Sequence, residues 1–374
     1  MTIILATVLA GCQRKPLYLA QRGTLDVDVS VYEIQLDLLW GIEWKTEWQY
    51  LWDESLYGPI GYTEPAGVRA NVYAINEANN ERSKYTTRNF NPEGGRVSLT
   101  TKALYDMMFY NNDTEYILFA TDEATYYYAT TRSNTRTPYT RSYSHYNQPD
   151  QLFGTFIREL YVSDDPDDYT IEFDRENNPI YVYKISAELT PHTFIYLCQV
   201  MLLNNLDDKG QRITGAEGIT ASGLAGGVDL FTRITDSLNL VSITQDDVKP
   251  LLLDRDLRLP DGSTAVGDIF AARIMTWGLP GIDPLEEIRS RREVSPQDSI
   301  RLGIGLKLRN GAVYPVEYNV TEQMKRRPAG GVITVVIDAA AIPDSIIGSK
   351  PQAGGGFDAS VDNWQNEIES NITI

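Results

Sequence analysis

The residue whose type and position speak most directly of chemistry is Cys12, closing the tetrapeptide Leu9-Ala10-Gly11-Cys12. A cysteine sulfur reacts as a soft nucleophile. The apolar run Ile3 to Gly11, ending in small residues, has the shape of an export signal. Leu-Ala-Gly-Cys also matches the bacterial lipobox, in which small residues fit the peptidase, the thiol is alkylated by a diacylglycerol, and cleavage leaves the cysteine as a lipidated N-terminus. The expected modification is therefore covalent, a diacylglycerol and an acyl chain on Cys12, and no other cofactor is expected. No Lys or Arg precedes the apolar run. The basic start of a signal is missing, so the true start codon is expected upstream of Met1. A buried N-terminal strand with an incidental Cys is the alternative, and the polar break Gln13-Arg14-Lys15 speaks against it.

Other candidate chemistry is sparse. The two histidines, His145 and His192, have no His-x-x-x-His or Cys-x-x-Cys company and read as surface or turn residues. Cys198, inside Phe194-Ile-Tyr-Leu-Cys-Gln-Val200, reads as a small core residue of a buried strand. Asp113 with Glu115, or Asp254 with Asp256, could form a glycosidase pair, but solvated turns account for them better. The run Asp164-Asp165-Pro166-Asp167-Asp168 suits a hard cation, yet it lacks spaced calcium-loop ligands and reads as a turn. No Gly-x-Ser-x-Gly elbow, P-loop or dinucleotide fingerprint is present. No catalytic or metal residue is assigned, and an enzyme is not expected. Trp40, Trp44, Trp48 and Trp52 form the densest aromatic stretch. They could stack on sugar rings, or fill a core or an assembly groove.

The formal net charge is −18. Such a field repels phosphate backbones and offers no polybasic surface for anionic lipid, so nucleic acid is not expected as a partner. No stretch reaches the roughly 20 apolar residues that span a bilayer, which leaves lipid as the expected anchor.

The elements that must position these residues are mostly strands. Leu25, Val27, Val29 and Val31 alternate with polar residues, and the phase then shifts to Ile34, Leu36 and Leu38, as at a bulge or a change of sheet. Val68, Ala70, Val72 and Ala74 continue the theme. Residues 76–96 are polar, with a turn at Asn91–Gly95. Residues 104–121 read as a hairpin around Asn111-Asn112-Asp113, and 125–149 as a long surface loop or irregular edge. In the second half, strands fall at Ile180–Ile185, Thr193–Leu203, Ile300–Leu308, Val316–Val320 and Val332–Ile337, with a short helix at Pro284–Arg292. Many short strands and few helices predict an all-β sandwich protein. The expected layout is a signal at 1–11, a tether at 12–23, an N-terminal sandwich domain at 24–178 and a C-terminal one at 179–374.

Four stretches together resemble the fimbrillin-like, fimbrium-anchor-like lipoproteins of Bacteroidia. They are the lipobox, Tyr105–Glu115, the Ser-Gly turn entering a strand in Ala221–Leu230, and the tail Gly354–Trp364. They touch both ends and the middle of the chain. The resemblance implies two tandem transthyretin-like β-sandwich domains with Greek-key character, and a lipid-anchored place on the cell surface at the outer membrane. It implies an anchor or accessory subunit of a fimbrium, with fimbrial subunits as partners through β-strand complementation. The tail fits that picture: Gly354–Gly356 is a hinge, the strand 357–374 follows, and Phe357, Val361 and Trp364 form the expected assembly interface. The tail folding back into its own domain is the alternative. For the whole protein, the alternative is a lipid-anchored module that binds a surface glycan or host ligand, with no role in a pilus.

Overall fold

The computed structural model describes residues 23–31, 36–41, 43–122, 126–135, 143–290 and 299–348. Cys12 and the tail residues Phe357, Val361 and Trp364 lie outside the described residues. The chain is built of β-sandwich, as its alternation predicts. In chain order the first strands are β1 (Gly23–Val31), β2 (Val68–Asn76), β3 (Glu81–Phe90), β4 (Gly95–Leu99), β5 (Ala103–Asn111), β6 (Ile117–Asp122), β7 (Tyr126–Thr131), β8 (Ser144–Tyr146), β9 (Phe153–Val162), β10 (Thr170–Phe173) and β11 (Pro179–Pro191).

Eight of these make one sheet in the order β3-β2-β5-β9-β11-β1-β4, with β10 also on β11. β11 begins just beyond the expected boundary at 178 and pairs with β1, β9 and β10. Leu25, Val27, Val72, Met107, Phe109 and Leu189 pack together on the enclosed face, while Asp28 and Ser30 face solvent. The turn at Asn91–Gly95 is present, and Gly94 sits at φ +107. A Cβ there would come 2.1 Å from the Val27 carbonyl oxygen, so only glycine fits. The polar stretch around it includes β3, an edge strand whose Arg82, Lys84 and Arg88 discourage pairing with another chain.

The later strands are β12 (Phe194–Leu203), β13 (Leu206–Asp207), β14 (Gly210–Gln211), β15 (Ile213–Ala225), β16 (Gly227–Asp229), β17 (Leu240–Gln245), β18 (Lys249–Arg258), β19 (Thr264–Thr276), β20 (Arg301–Leu308), β21 (Val313–Asn319) and β22 (Gly331–Asp338). A four-stranded sheet, β18-β19-β12-β22, faces a five-stranded sheet, β21-β20-β15-β17-β8. Val200, Phe270, Ile304 and Leu306 belong to the core of this sandwich.

Several local expectations are corrected. The phase shift at Ile34, Leu36 and Leu38 is not a bulged strand: α1 (Leu36–Trp40) begins there, followed by α2 (Trp44–Glu47) and α3 (Glu54–Tyr57). Ile34 itself lies outside the described residues. Residues 104–121 are not a hairpin, because β5 and β6 belong to different sheets. The buried Asn111 side chain accepts from Phe153 N at 2.6 Å and donates to Gln151 O at 3.1 Å, which ties the end of β5 to β9. The chain then leaves to form a small sheet, β16-β7-β6. The stretch 125–149, expected as a loop or irregular edge, contains β7 and β8, and β8 is the edge strand of its sheet. The Ser-Gly turn is a bulge within β15, with Gly223 at φ +82.

Residues 36–62 act as a strap across the outer face of the four-stranded sheet. Arg327, just before β22, pairs with Glu47 and donates to Trp40 O. Gln199 on β12 accepts from Gln49 N at 3.0 Å and donates to Glu47 O. On β18, Arg258 N donates to Gln49 Oε1 at 2.7 Å, and Pro250 O accepts from Tyr50 Oη at 3.1 Å. Trp40, Trp44, Trp48 and Tyr50 fill the space beneath. β12 is therefore buried on both faces, which is why Phe194–Leu202 is an almost unbroken apolar run.

Two strand exchanges join the halves of the chain further. β16 pairs with β7, and β8 runs parallel to β17. The Trp40→Ala substitution is expected to cost about 3–5 kcal/mol in denaturant unfolding, since Trp40 is 1% exposed and packs edge-on against Trp44 at 4.9 Å. Leu51→Ala on the same strap, at 62% exposure, should stay within about 0.5 kcal/mol.

Candidate functional site

The histidines are not surface residues. His145 on β8 is 5% exposed and bonds through its two ring nitrogens to Asn134 and to Thr244 Oγ1. His192, between β11 and β12, is 3% exposed, and its Nε2 has no hydrogen-bond partner. Burial, aided by the positive Arg233, pulls its pKa down to about 3. Both lie where strands of different sheets meet, a placement that their local sequence does not encode. Cys198 is buried, as expected, and burial pushes its thiol up to about 12. It stays protonated and unreactive at neutral pH.

Asp113, Glu115, Asp254 and Asp256 do not line the cleft described below. Asp113 accepts from Asn111 Nδ2 and Ala66 N, structural bonds at a chain turn. Asp254 and Asp256 are exposed on β18. Asp165 caps a single helical turn by accepting from Asp167 N at 3.0 Å. Among the described residues no cluster of three or more His, Cys, Asp or Glu is arranged for a metal ion, and no helix is long and apolar enough to cross a membrane.

The structure instead gathers a cleft of about 360 Å³ where the strap meets β18, β19 and residues 148–151. Of the four tryptophans, Trp52 lines this cleft, while Trp40, Trp44 and Trp48 are core. Trp52 Nε1 donates to Gly58 O at 3.0 Å, which holds the end of the strap. Lys249 is 6% exposed, with its Nζ 5.3 Å from the Trp52 ring centre and 4.7 Å from that of Tyr57. Its ion-pair partner is the exposed Asp247.

Arg273 on β19 has a different environment. Its Nε donates to Ile60 O at 3.0 Å and its Nη2 to Gly61 O at 3.1 Å. No carboxylate among the described residues pairs with it. Burial lowers its pKa below the ordinary guanidinium value, opposed only by nearby Tyr62. Gln148 donates to Gln245 Oε1 at 3.0 Å and accepts from Met275 N. Asp150 Oδ2 accepts from Glu115 N and Tyr116 N at 2.6 Å each. The cleft thus presents donors, carboxylate oxygens and aromatic surface together, which suits a hydroxyl-rich ligand.

Sequence reasoning missed Lys249 and Arg273. Arg273 shares a strand face with Ala271 and Met275 and alternates with the apolar Ala272 and Ile274, a pattern that reads as the wet face of a strand until the strap is known to cover it.

No family model and no curated protein matches the sequence. Among solved structures, a candidate adhesin from Bacteroides ovatus is similar at 14% identity and TM-score 0.49, covering 93% of this chain and 100% of that one. The fimbrial anchor protein Mfa2 from Porphyromonas gingivalis is similar at 12% identity and TM-score 0.40, covering 84% and 90%. A candidate cell adhesion protein from Bacteroides eggerthii is similar at 9% identity and TM-score 0.37, covering 86% and 89%. No functional residue is carried across from these distant likenesses.

The buried His192 gives a pH prediction. Its folded pKa lies below its unfolded value near 6.5, so between these the unfolded chain binds the extra proton and stability falls as pH falls. From pH 7.5 to pH 5 the native state should lose about 2 kcal/mol through this group. Denaturant titrations of His192→Asn should show a shallower loss over that window than the parent.

Proposed function

We propose that this chain is a lipid-anchored cell-surface protein of the outer membrane that serves adhesion, as an anchor or accessory subunit of a fimbrium, and has no catalytic role. The observation that carries this reading is the seating of β1. Residues 13–22 lead from Cys12 directly into β1, whose backbone is paired on both sides, parallel with β11 and antiparallel with β4. Tension drawn from a lipidated Cys12 along this strand loads both ladders in shear, across many hydrogen bonds at once. A base subunit that must stay attached while a polymer is pulled needs that resistance. The strap and the exchanged strands then pass the load to the rest of the molecule. The inert Cys198 thiol and the two sequestered histidines agree with a non-catalytic role.

The tail supports assembly by strand complementation. Phe357 and Val361 alternate with polar residues behind a glycine hinge, and Trp364 offers an anchor for a pocket.

Cys12→Ala in the native host should move the protein, together with a co-purifying fimbrial polymer, from the outer-membrane fraction to the medium. Release of the protein with no polymer accompanying either form would overturn the fimbrial part of the reading. Replacing Phe357, Val361 and Trp364 with Asp should leave the protein in the membrane fraction and shed the polymer. Retention of polymer by that variant would remove the tail from the interface.

A further inference from the structure

We propose that the cleft at the end of the strap binds an acidic saccharide, with Arg273 receiving the sugar carboxylate and Trp52 and Tyr57 lining the ring. The inference stands independently of the fimbrial reading, because it concerns only groups inside the cleft. Elsewhere in this protein buried cations meet acids. Arg212 pairs with Asp207 and Asp344, and Arg82 with the fully buried Asp106. Arg273 meets only two backbone carbonyls, and its Nη1 donates to no described residue. An unneutralised guanidinium in a partly buried cleft gains most from a carboxylate, which it can grip through paired hydrogen bonds.

The remaining groups narrow the ligand class. Gln245 Nε2 donates to no described residue. Asp150 and Asp247 both line the cleft, and each has a second carboxylate oxygen that accepts from no described residue. Those two carboxylates accept from hydroxyls and repel a second anion, so they disfavour phosphate or an acid-rich peptide and favour one carboxylate on a polyol frame. The volume of about 360 Å³ is at the small end of ligand sites and suits a short saccharide. Lys249, fixed between the two rings and Asp247, holds the aromatic wall in place.

The test is calorimetric titration of the full chain with oligogalacturonate, glucuronate-containing oligosaccharides and sialyllactose, each beside its carboxyl-reduced counterpart. At least one acidic member should bind tenfold or more tighter than its reduced form. Arg273→Gln should weaken that binding by roughly ten- to hundredfold and erase the discrimination. Arg273 also holds Ile60 and Gly61, so Gln245→Leu supplies a second variant whose fold does not depend on those bonds, with a smaller loss expected. Absence of binding across the panel, equal binding of acidic and reduced forms, or preferential binding of an Asp-rich peptide would each overturn the proposal.

Discussion

The four-stranded sheet carries apolar side chains on both faces, and the rest of the architecture follows from that. β12 and β19 have one face in the sandwich core and a second face of Ile195, Leu197, Met201 and Met275 that must also be kept from water. A sandwich of two sheets covers only one of those faces. The strap covers the other, and to reach it the chain must leave the first sheet after β1 and return for β2. The hydrophobic gain from burying four large aromatic rings drives this excursion. Its condition is that the strap's own backbone polar groups find partners. Gln199 meets part of that condition with its side-chain amide, and Arg327 and Arg273 with guanidinium donors, while Gln49 in turn bonds both backbone groups of Arg258 on β18. Gln199 is fully buried and still uses both ends of its amide, bonding Glu47 O, Thr334 Oγ1 and Gln49 N.

The same accounting protects the edges. β22 is the last strand of its sheet, and α5 (Thr321–Lys325) lies beside it. Gln323 donates to Thr334 O and accepts from Thr334 N, both at 2.9 Å, so one side chain stands in for part of a missing strand. Together with the cationic β3, this turns away unprogrammed strand addition. Any strand complementation is thereby confined to places where the backbone is left open for it.

Coupling between the two halves is distributed over the strap, the β7–β16 pair and the β8–β17 pair. Each is a local trade in which one half lends a segment to the other. Trp277 and Leu230 from the later half pack with Tyr73, Met108 and Tyr127 from the earlier half in a third core cluster. Hinge motion at this junction would break all of these contacts at once. The cleft lies at the same junction, and its walls are set by segments far apart in sequence.

By itself the sequence determined the strand-rich class, the phase of the alternating strands β1, β2 and β20, the buried nature of Cys198 and the strongly negative net charge. Period-two alternation records which face is wet, and an almost unbroken apolar run such as Phe194–Leu202 records two dry faces, so local composition carries that information. It also determined the Leu-Ala-Gly-Cys motif, whose chemistry needs no tertiary context. Only the tertiary structure decided which sheet each strand joins, why Leu36–Trp40 is helical, and where the histidines lie. Leu36 and Leu38 match a strand, Leu36, Leu39 and Trp40 match one face of a short helix, and packing of that face against a distant sheet selects the helix. The cleft was illegible for the same reason. Trp52, Lys249 and Arg273 are separated by long stretches of chain, and an arginine on a strand face looks solvated until the strap brings Ile60 and Gly61 over it. Pairing between remote segments is set by complementary surfaces and not by local propensity, so no window of sequence contains it.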